Sequence, residues 1–374
     1  MTTISTMFSG GEGVGVGAKA AGLTHLWGIE LKDEIAKVAR NNGFNVMTAS
    51  VLDVDPHTLE RPDILHASPE CQRASIASQS RGETDLDIAL GERVIHFIDV
   101  LKPRIVTIEN VGPYQTFSIF KKMLAFLANH GYFVHHDILN AADFSVPQSR
   151  RRLIVRAVLG NLVPMLPEPE PWVGWYQAIE DLIPTLPPSR FAPWQMERLP
   201  NFLDTSTFFG DSESHFEGSR ITQRRANEPA STIVSSKTAS KYKAFLLSTG
   251  GEAGDLYRWP EEPAPTATTI YPQYYRAFIV DSQNGGSQRG LTIRDRDEPT
   301  FTVTASALNK ATPRAWLSAG RVVAMTARAI ARFQSFPDDY ELPDGVELAS
   351  KVIGNAMPSL MYQKLVRPLK EMIQ

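Results

Sequence analysis

The residues best suited to chemistry stand at the ends of short apolar runs. Cys71, the single cysteine, sits in His66-Ala-Ser-Pro-Glu-Cys-Gln72, just past a run that begins at Ile64. A lone cysteine is usually a small buried hydrophobe. Its neighbours Glu70, Gln72 and Arg73 have a loop composition instead, and in a loop a thiolate can serve as a nucleophile. Glu109-Asn-Val ends a second run, Ile105-Val-Thr-Ile108, and offers a carboxyl group for acid–base work. Gln148-Ser-Arg-Arg-Arg152 precedes a third run. Three arginines make a solvated basic corner, or on a strand alternation aims Arg150 and Arg152 to one side. Near the start, Gly10-Gly-Glu-Gly-Val-Gly15 lies between an apolar run and a helix-like segment, so its backbone N–H groups can approach a ligand closely. Glu30 ends the next run, where it could bind a ribose hydroxyl or act as an acid at a helix N-terminus.

The elements that must position these groups alternate in type. Strands are expected at 4–8, 25–30, 64–67, 105–108 and 152–158, and helices at 16–21, 32–42, 88–101 and 120–130. In the third helix Val94, Ile95, Ile98 and Leu101 share one side, and Pro103 ends it. Alternation of this kind predicts a mostly parallel sheet with helices on both faces. Open sheets of that class bind ligands beyond the carboxyl ends of their strands. Cys71 and Glu109 would therefore face one crevice.

After Gly160 the texture changes. Residues 163–193 are proline-rich, like a connecting segment. Beyond it Glu228-Pro-Ala-Ser-Thr232, Glu262-Pro-Ala-Pro-Thr266 and Glu298-Pro-Thr-Phe-Thr302 repeat a Glu-Pro-x-x-Thr pattern at intervals of 34 and 36 residues. Each copy reads as a turn feeding a β-branched strand, so the second domain is expected to be irregular and mostly β. Helix-forming sequence returns at 325–333 and 359–373.

With 374 residues the chain has length for two domains and an ample core. Its 38 Lys+Arg against 41 Asp+Glu give a net charge of −3, which argues against indiscriminate coating of nucleic acid. Segment 215–314 is nevertheless net +3, with Arg220, Arg224, Arg225, Lys237, Lys241 and Lys243 near its start. These form a mixed solvated face or a face that tracks phosphates. One cysteine excludes an internal disulfide framework and a Cys-rich zinc site, and no metal is expected. No apolar run reaches the roughly 18 residues that span a bilayer. The opening residues lack the basic region and apolar stretch of a secretory signal. A soluble, cytoplasmic protein is expected, with no membrane partner.

Taken in order, the motifs resemble those of the DNA cytosine-5 methyltransferase family over nearly the whole chain. Phe8-Ser-Gly-Gly-Glu-Gly-Val-Gly-Val-Gly17 is similar to the family's cofactor motif, and Ser68-Pro-Glu-Cys-Gln72 to its nucleophile loop. Glu109-Asn-Val111 and Gln148-Ser-Arg-Arg-Arg152 match its Glu-Asn-Val and Gln-x-Arg-x-Arg motifs. Residues 326–337 and Ile353-Gly-Asn-Ala-Met-Pro358 resemble its last two. Some positions differ from the family's pattern. Glu70 precedes Cys71 where proline is usual, Glu12 replaces a common glycine, Ala327 replaces proline, and Ser50 stands where Asp often lies.

The resemblance implies a Rossmann-like α/β catalytic and cofactor-binding domain at 1–164. A smaller, irregular, β-rich target-recognition domain would occupy 165–318, and a C-terminal segment, 319–374, would return to the first. It implies methyl transfer from S-adenosyl-L-methionine to C5 of a cytosine flipped out of a specific double-stranded DNA sequence. Cys71 would be the covalent nucleophile, Glu109 the carboxyl at N3 and the 4-amino group, and Arg152 the contact to O2, with Arg150 beside it. Phe8, Ser9, Gly10, Gly13, Glu30, Ser50, Val51, Asn355 and Ala356 would bind the cofactor. Base contacts would come from 215–317. A monomer is expected, in a restriction-modification or phage protective setting with a cognate restriction endonuclease as its partner. The rivals are an RNA cytosine-5 methyltransferase and a catalytically weak DNA-binding relative.

Overall fold

A computed structural model describes residues 1–69, 82–187 and 320–373, with short stretches at 211–212, 221–222, 229–230, 243–248 and 275–279 between them. Chain contacts divide it into two units. The first holds Met1–Val173, Thr232–Lys237 and Ile330–Gln374; the second holds Gly174–Ser231 and Thr238–Ala329.

In the first unit the seven strands are β1 (Thr3–Met7), β2 (Thr24–Glu30), β3 (Val46–Thr48), β4 (Ile64–Ala67), β5 (Ile105–Asn110), β6 (Tyr132–Asn140) and β7 (Arg151–Leu159). They form one sheet in the order β3-β2-β1-β4-β5-β7-β6. The first five run parallel, and β7 and β6 join antiparallel. All residues of β4 and β5 are buried, as expected of central parallel strands covered on both faces. Alternate residues feed separate cores. Leu65, Val106, Ile108 and Val155 pack with helices α3 (Asp85–Leu101) and α4 (Ser118–Asn129). Ile4, Ile64, Ile105 and Ile154 pack with α1 (Gly13–Ala20) and the C-terminal helix.

Among the described residues, that C-terminal helix is the last of the four that follow α4, and α2 spans Asp33–Asn41. The four are α5 (Trp175–Ile179), α6 (Ala327–Phe333), α7 (Val346–Asn355) and α8 (Ser359–Glu371). Helix α8 lies directly on α1. A Cβ on Gly17 would collide with the Ser359 carbonyl oxygen, so the glycine here is required by close approach.

The observed α3 starts three residues ahead of the expected position. Thr84 Oγ1 accepts from the Asp87 backbone N–H, and Asp87 Oδ2 accepts from the Thr84 N–H at 2.8 Å. This capping box supplies partners for N–H groups that a helix start leaves open. Lys102 takes a left-handed conformation (φ 44°) just before Pro103 and closes the other end. Strands β3 and β6 and helix α7 were not expected from the sequence.

In the second unit the described strands form two antiparallel groups. Lys243–Ser248 lies between Tyr275–Ile279 and Gly320–Ala324, and Asp211–Ser212 pairs with Ile221–Thr222. Apart from Pro229 and Ala230, the three Glu-Pro-x-x-Thr copies, and Arg220, Arg224, Arg225, Lys237 and Lys241, lie outside the described residues. No helix among the described residues is long and apolar enough to cross a membrane.

Candidate active site

Every parallel strand delivers its carboxyl end to one edge of the sheet, and Phe8, Gly10, Glu30 and Glu109 lie along it. At the end of β1 the chain turns sharply. Phe8 (φ 58°), Gly10 (φ 56°) and Glu12 (φ 62°) all adopt left-handed backbone conformations. The turn is tied to β2 by two bonds, Ser9 N–H to the Ile29 carbonyl at 2.9 Å and Gly10 N–H to Glu30 Oε2 at 3.0 Å. Glu30 Oε1 also accepts from the Lys32 N–H at 2.9 Å, at the start of α2. Thus Glu30 is a helix-start acid and a strut for the glycine-rich turn at once. An added Cβ at Gly10 would meet nothing within 4 Å, so the turn is open above this residue. Ser9 Oγ is buried without a hydrogen-bond partner.

Of the other expected cofactor residues, Gly13 and Ala356 meet beside this turn. Gly13, in the first turn of α1, has the Ala356 side chain and the Met357 carbonyl against its Cα; an added Cβ would sit 3.0 Å and 2.6 Å from them. Ala356 follows α7, and Asn355, the last residue of that helix, is exposed. Ser50 and Val51 lie in the loop after β3, next to β2, where the Ala49 N–H reaches the Glu30 carbonyl at 3.0 Å. Val51 is buried in the same cluster that Phe8 packs against, and the Ser50 hydroxyl accepts from the Leu52 N–H at 3.2 Å.

Further along the edge, β4 runs into Ser68 and Pro69. Ser68 Oγ donates to the Phe8 carbonyl at 3.2 Å. Asn110 Nδ2, at the end of β5, donates to the Pro69 carbonyl at 3.0 Å. The Glu-Asn-Val segment is thereby bonded to the segment that leads to Cys71. Cys71 and Glu70 lie outside the described residues.

Antiparallel β7 begins at this same edge, because Asn110 pairs with Leu153 and Glu109 with Ile154. That register brings Arg152 Nε within 2.9 Å of Glu109 Oε1, with 14% and 9% of the two side chains exposed. Burial pushes the Arg152 pKa down, while the Glu109 carboxylate opposes the shift by charge and hydrogen bonding. The guanidinium stays protonated, as arginine does in proteins. Arg150, just ahead of β7, is buried, Arg151 is exposed and Arg152 is largely buried. Arg150 is held through its backbone, its N–H on Asn140 Oδ1 at 2.9 Å and its carbonyl accepting from the Ala141 N–H.

Two participants were missed in the sequence. The motif alone does not single out Asn110, although a polar amide ending a wholly buried strand needs a partner. Glu12 was read as an interruption of the glycines, yet it is fully buried.

An α/β sheet of this topology, with its carboxyl edge carrying a glycine-rich turn and a buried Glu–Arg pair, belongs to a known class. Over its full length the structure is similar to the methyltransferase EhMeth of Entamoeba histolytica, with a TM-score of 0.59, 14% identity and 99% of that chain covered. The Dnmt2 methyltransferase of S. pombe is similar at a TM-score of 0.57 and 13% identity, covering 100% of this chain and 99% of that one. The fold is that of the methyltransferases. By sequence, the C-5 cytosine-specific DNA methylase family matches residues 1–371. The chain belongs to that family and is a DNA cytosine-5 methyltransferase. Relatives include the type II methyltransferases M.PspPI of Psychrobacter sp., 26% identical over 94% of this chain and 75% of its own, and M.Eco47II of Escherichia coli, 26% identical over 95% and 76%.

Proposed function

We propose that this chain methylates C5 of a cytosine extruded from double-stranded DNA, through a transient bond from Cys71 to C6, with S-adenosyl-L-methionine as methyl donor. The single observation that carries the reading is the bonded edge of the sheet. Asn110 holds the Pro69 carbonyl two residues before Cys71, and the adjoining Glu109 is fixed by Arg152.

C5 of cytosine is a poor nucleophile. Addition of the Cys71 thiolate to C6 converts the C5–C6 double bond into an enamine-like system with its electrons on C5. Glu109, after taking up a proton from solvent, would pass it to N3 as the thiolate adds and accept from the 4-amino group, neutralising the charge that builds up there. Arg152 orients the base at O2 and keeps the carboxyl in place, with Arg150 beside it. After C5 accepts the methyl group, water takes the C5 proton, N3 returns its proton to Glu109, and the freed electron pair restores the C5–C6 double bond and expels Cys71 as thiolate. C6 is shielded in a stacked duplex, so the base must leave the stack.

The cofactor's chemistry is a methyl group on a sulfonium, ready for transfer. The chain's residues fit such a group. Gly10 leaves open space beside Ser9, and Glu30 stands at the strand end where ribose hydroxyls are bound. Phe8, Gly13, Ser50, Val51, Asn355 and Ala356 would complete the pocket. We assign 1–164 to catalysis and cofactor binding, 165–318 to target recognition and 319–374 to a returning segment. The names of the type II relatives favour a restriction-modification setting with a cognate endonuclease.

Labelled-methyl transfer to unmethylated plasmid DNA and to transfer RNA tests this. Label in DNA as 5-methylcytosine is expected. Label in RNA alone, or in neither polymer, contradicts it.

A further inference from the structure

We propose that Glu12 is a positioning residue for the cofactor turn, its buried carboxylate clamping the turn to β1 and β2. The inference rests on reading that turn as the cofactor site.

Left-handed conformation is unfavourable for an ordinary residue, and Phe8 and Glu12 both adopt it within five residues. Glu12 is fully buried. Its Oε1 accepts from the Thr6 hydroxyl of β1 at 2.5 Å and lies 3.0 Å from His25 Nε2 of β2. That ring nitrogen is in turn 3.4 Å from Thr6 Oγ1. The side chain of one turn residue thus grips both strands that the turn overhangs.

Space for the carboxylate is made by two glycines. A Cβ on Gly15 would lie 2.5 Å from Glu12 Oε2, and one on Gly28 would come closer still to Oε1. Gly15 therefore makes room for an acid, whereas Gly13 and Gly17 make room for the C-terminal segment. Burying a carboxylate is unfavourable unless its surroundings hold it. A small residue at position 12 would avoid that cost. The three-way contact gives the acid a geometric role that a small residue lacks.

The test measures binding of S-adenosylhomocysteine by calorimetry, alongside KM for S-adenosylmethionine and kcat on unmethylated plasmid DNA. Glu12→Ala is expected to weaken cofactor binding about tenfold, leaving kcat at saturating cofactor and KM for DNA within about twofold. Glu12→Gln, which can still accept from Thr6, should recover to within about threefold of the parent. Should Glu12→Ala not fold, Gly28→Ala displaces the carboxylate from the other side and must raise the same constant. Cofactor binding unchanged in Glu12→Ala or in its substitute Gly28→Ala, or Glu12→Gln as weak as Glu12→Ala, overturns the proposal. Glu30→Gln separates the two levels. If it too leaves cofactor binding unchanged, the turn is not the cofactor site and both readings fall. If it weakens binding while the Glu12 variants do not, only the positioning role falls.

Discussion

Replacing His66 by Asn should remove a defined part of the chain's acid sensitivity. His66 lies on β4 at 2% exposure, where its Nδ1 shares a 2.9 Å hydrogen bond with Thr107 Oγ1, and its ring meets Tyr362 of α8 edge-on at 5.2 Å. Burial pushes its pKa from 6.5 down to about 3, so the folded protein keeps the ring neutral. The unfolded chain takes up this proton as pH falls through 6.5, and the folded chain does so only near 3. Stability from this group is therefore complete above 6.5 and declines below it, levelling off near 3. Integrating from pH 7 to pH 5 gives a loss of about 2 kcal/mol. Asn keeps an acceptor for Thr107 and cannot titrate. Urea unfolding of both proteins at the two pH values isolates the term, since every other group cancels in the comparison. The parent should lose about 2 kcal/mol more than His66→Asn. Parallel losses would refute the argument that burial holds this ring neutral.

Two further outcomes follow from the packing and the site. Gly17→Ala puts a methyl group against the Ser359 carbonyl and should destabilise the protein by about 1–3 kcal/mol; an unchanged melting temperature would mean that α8 does not press on α1. Glu109→Gln and Arg152→Met should be non-additive, with a coupling of about 1–3 kcal/mol in unfolding free energy, because the pair is largely desolvated. Strict additivity would show that the ion pair does not exist in solution.

What could be read from the sequence followed physical simplicity. Ile64–Ala67 is a strand in the structure over the very residues expected, since a short apolar run before a loop has few alternatives. The edge strand β6 escaped notice because His135, His136 and Asp137 interrupt its apolar pattern, which an edge position tolerates. Apolar periodicity starts α3 at residue 88, later than the structure does, because its first turn is set by Thr84 and Asp87. At the site, Glu109 and Arg152 were named separately. Their pairing depends on the register of β5 against β7, a long-range property that motif spacing does not encode. The burial of Glu12 was hidden likewise, since Thr6, His25 and Gly28 converge on it only when β1 pairs with β2.

The central claim is that a cysteine thiolate bonds to the base during methyl transfer. It is tested most directly by incubating the protein, with S-adenosylmethionine, on duplexes carrying 5-fluorocytosine in place of cytosine. Fluorine cannot leave as a proton does, so the bond to C6 should persist. A denaturation-resistant protein–DNA adduct is expected, cofactor-dependent and abolished in Cys71→Ser. An active protein that yields no adduct, or an adduct that survives Cys71→Ser, would contradict the account.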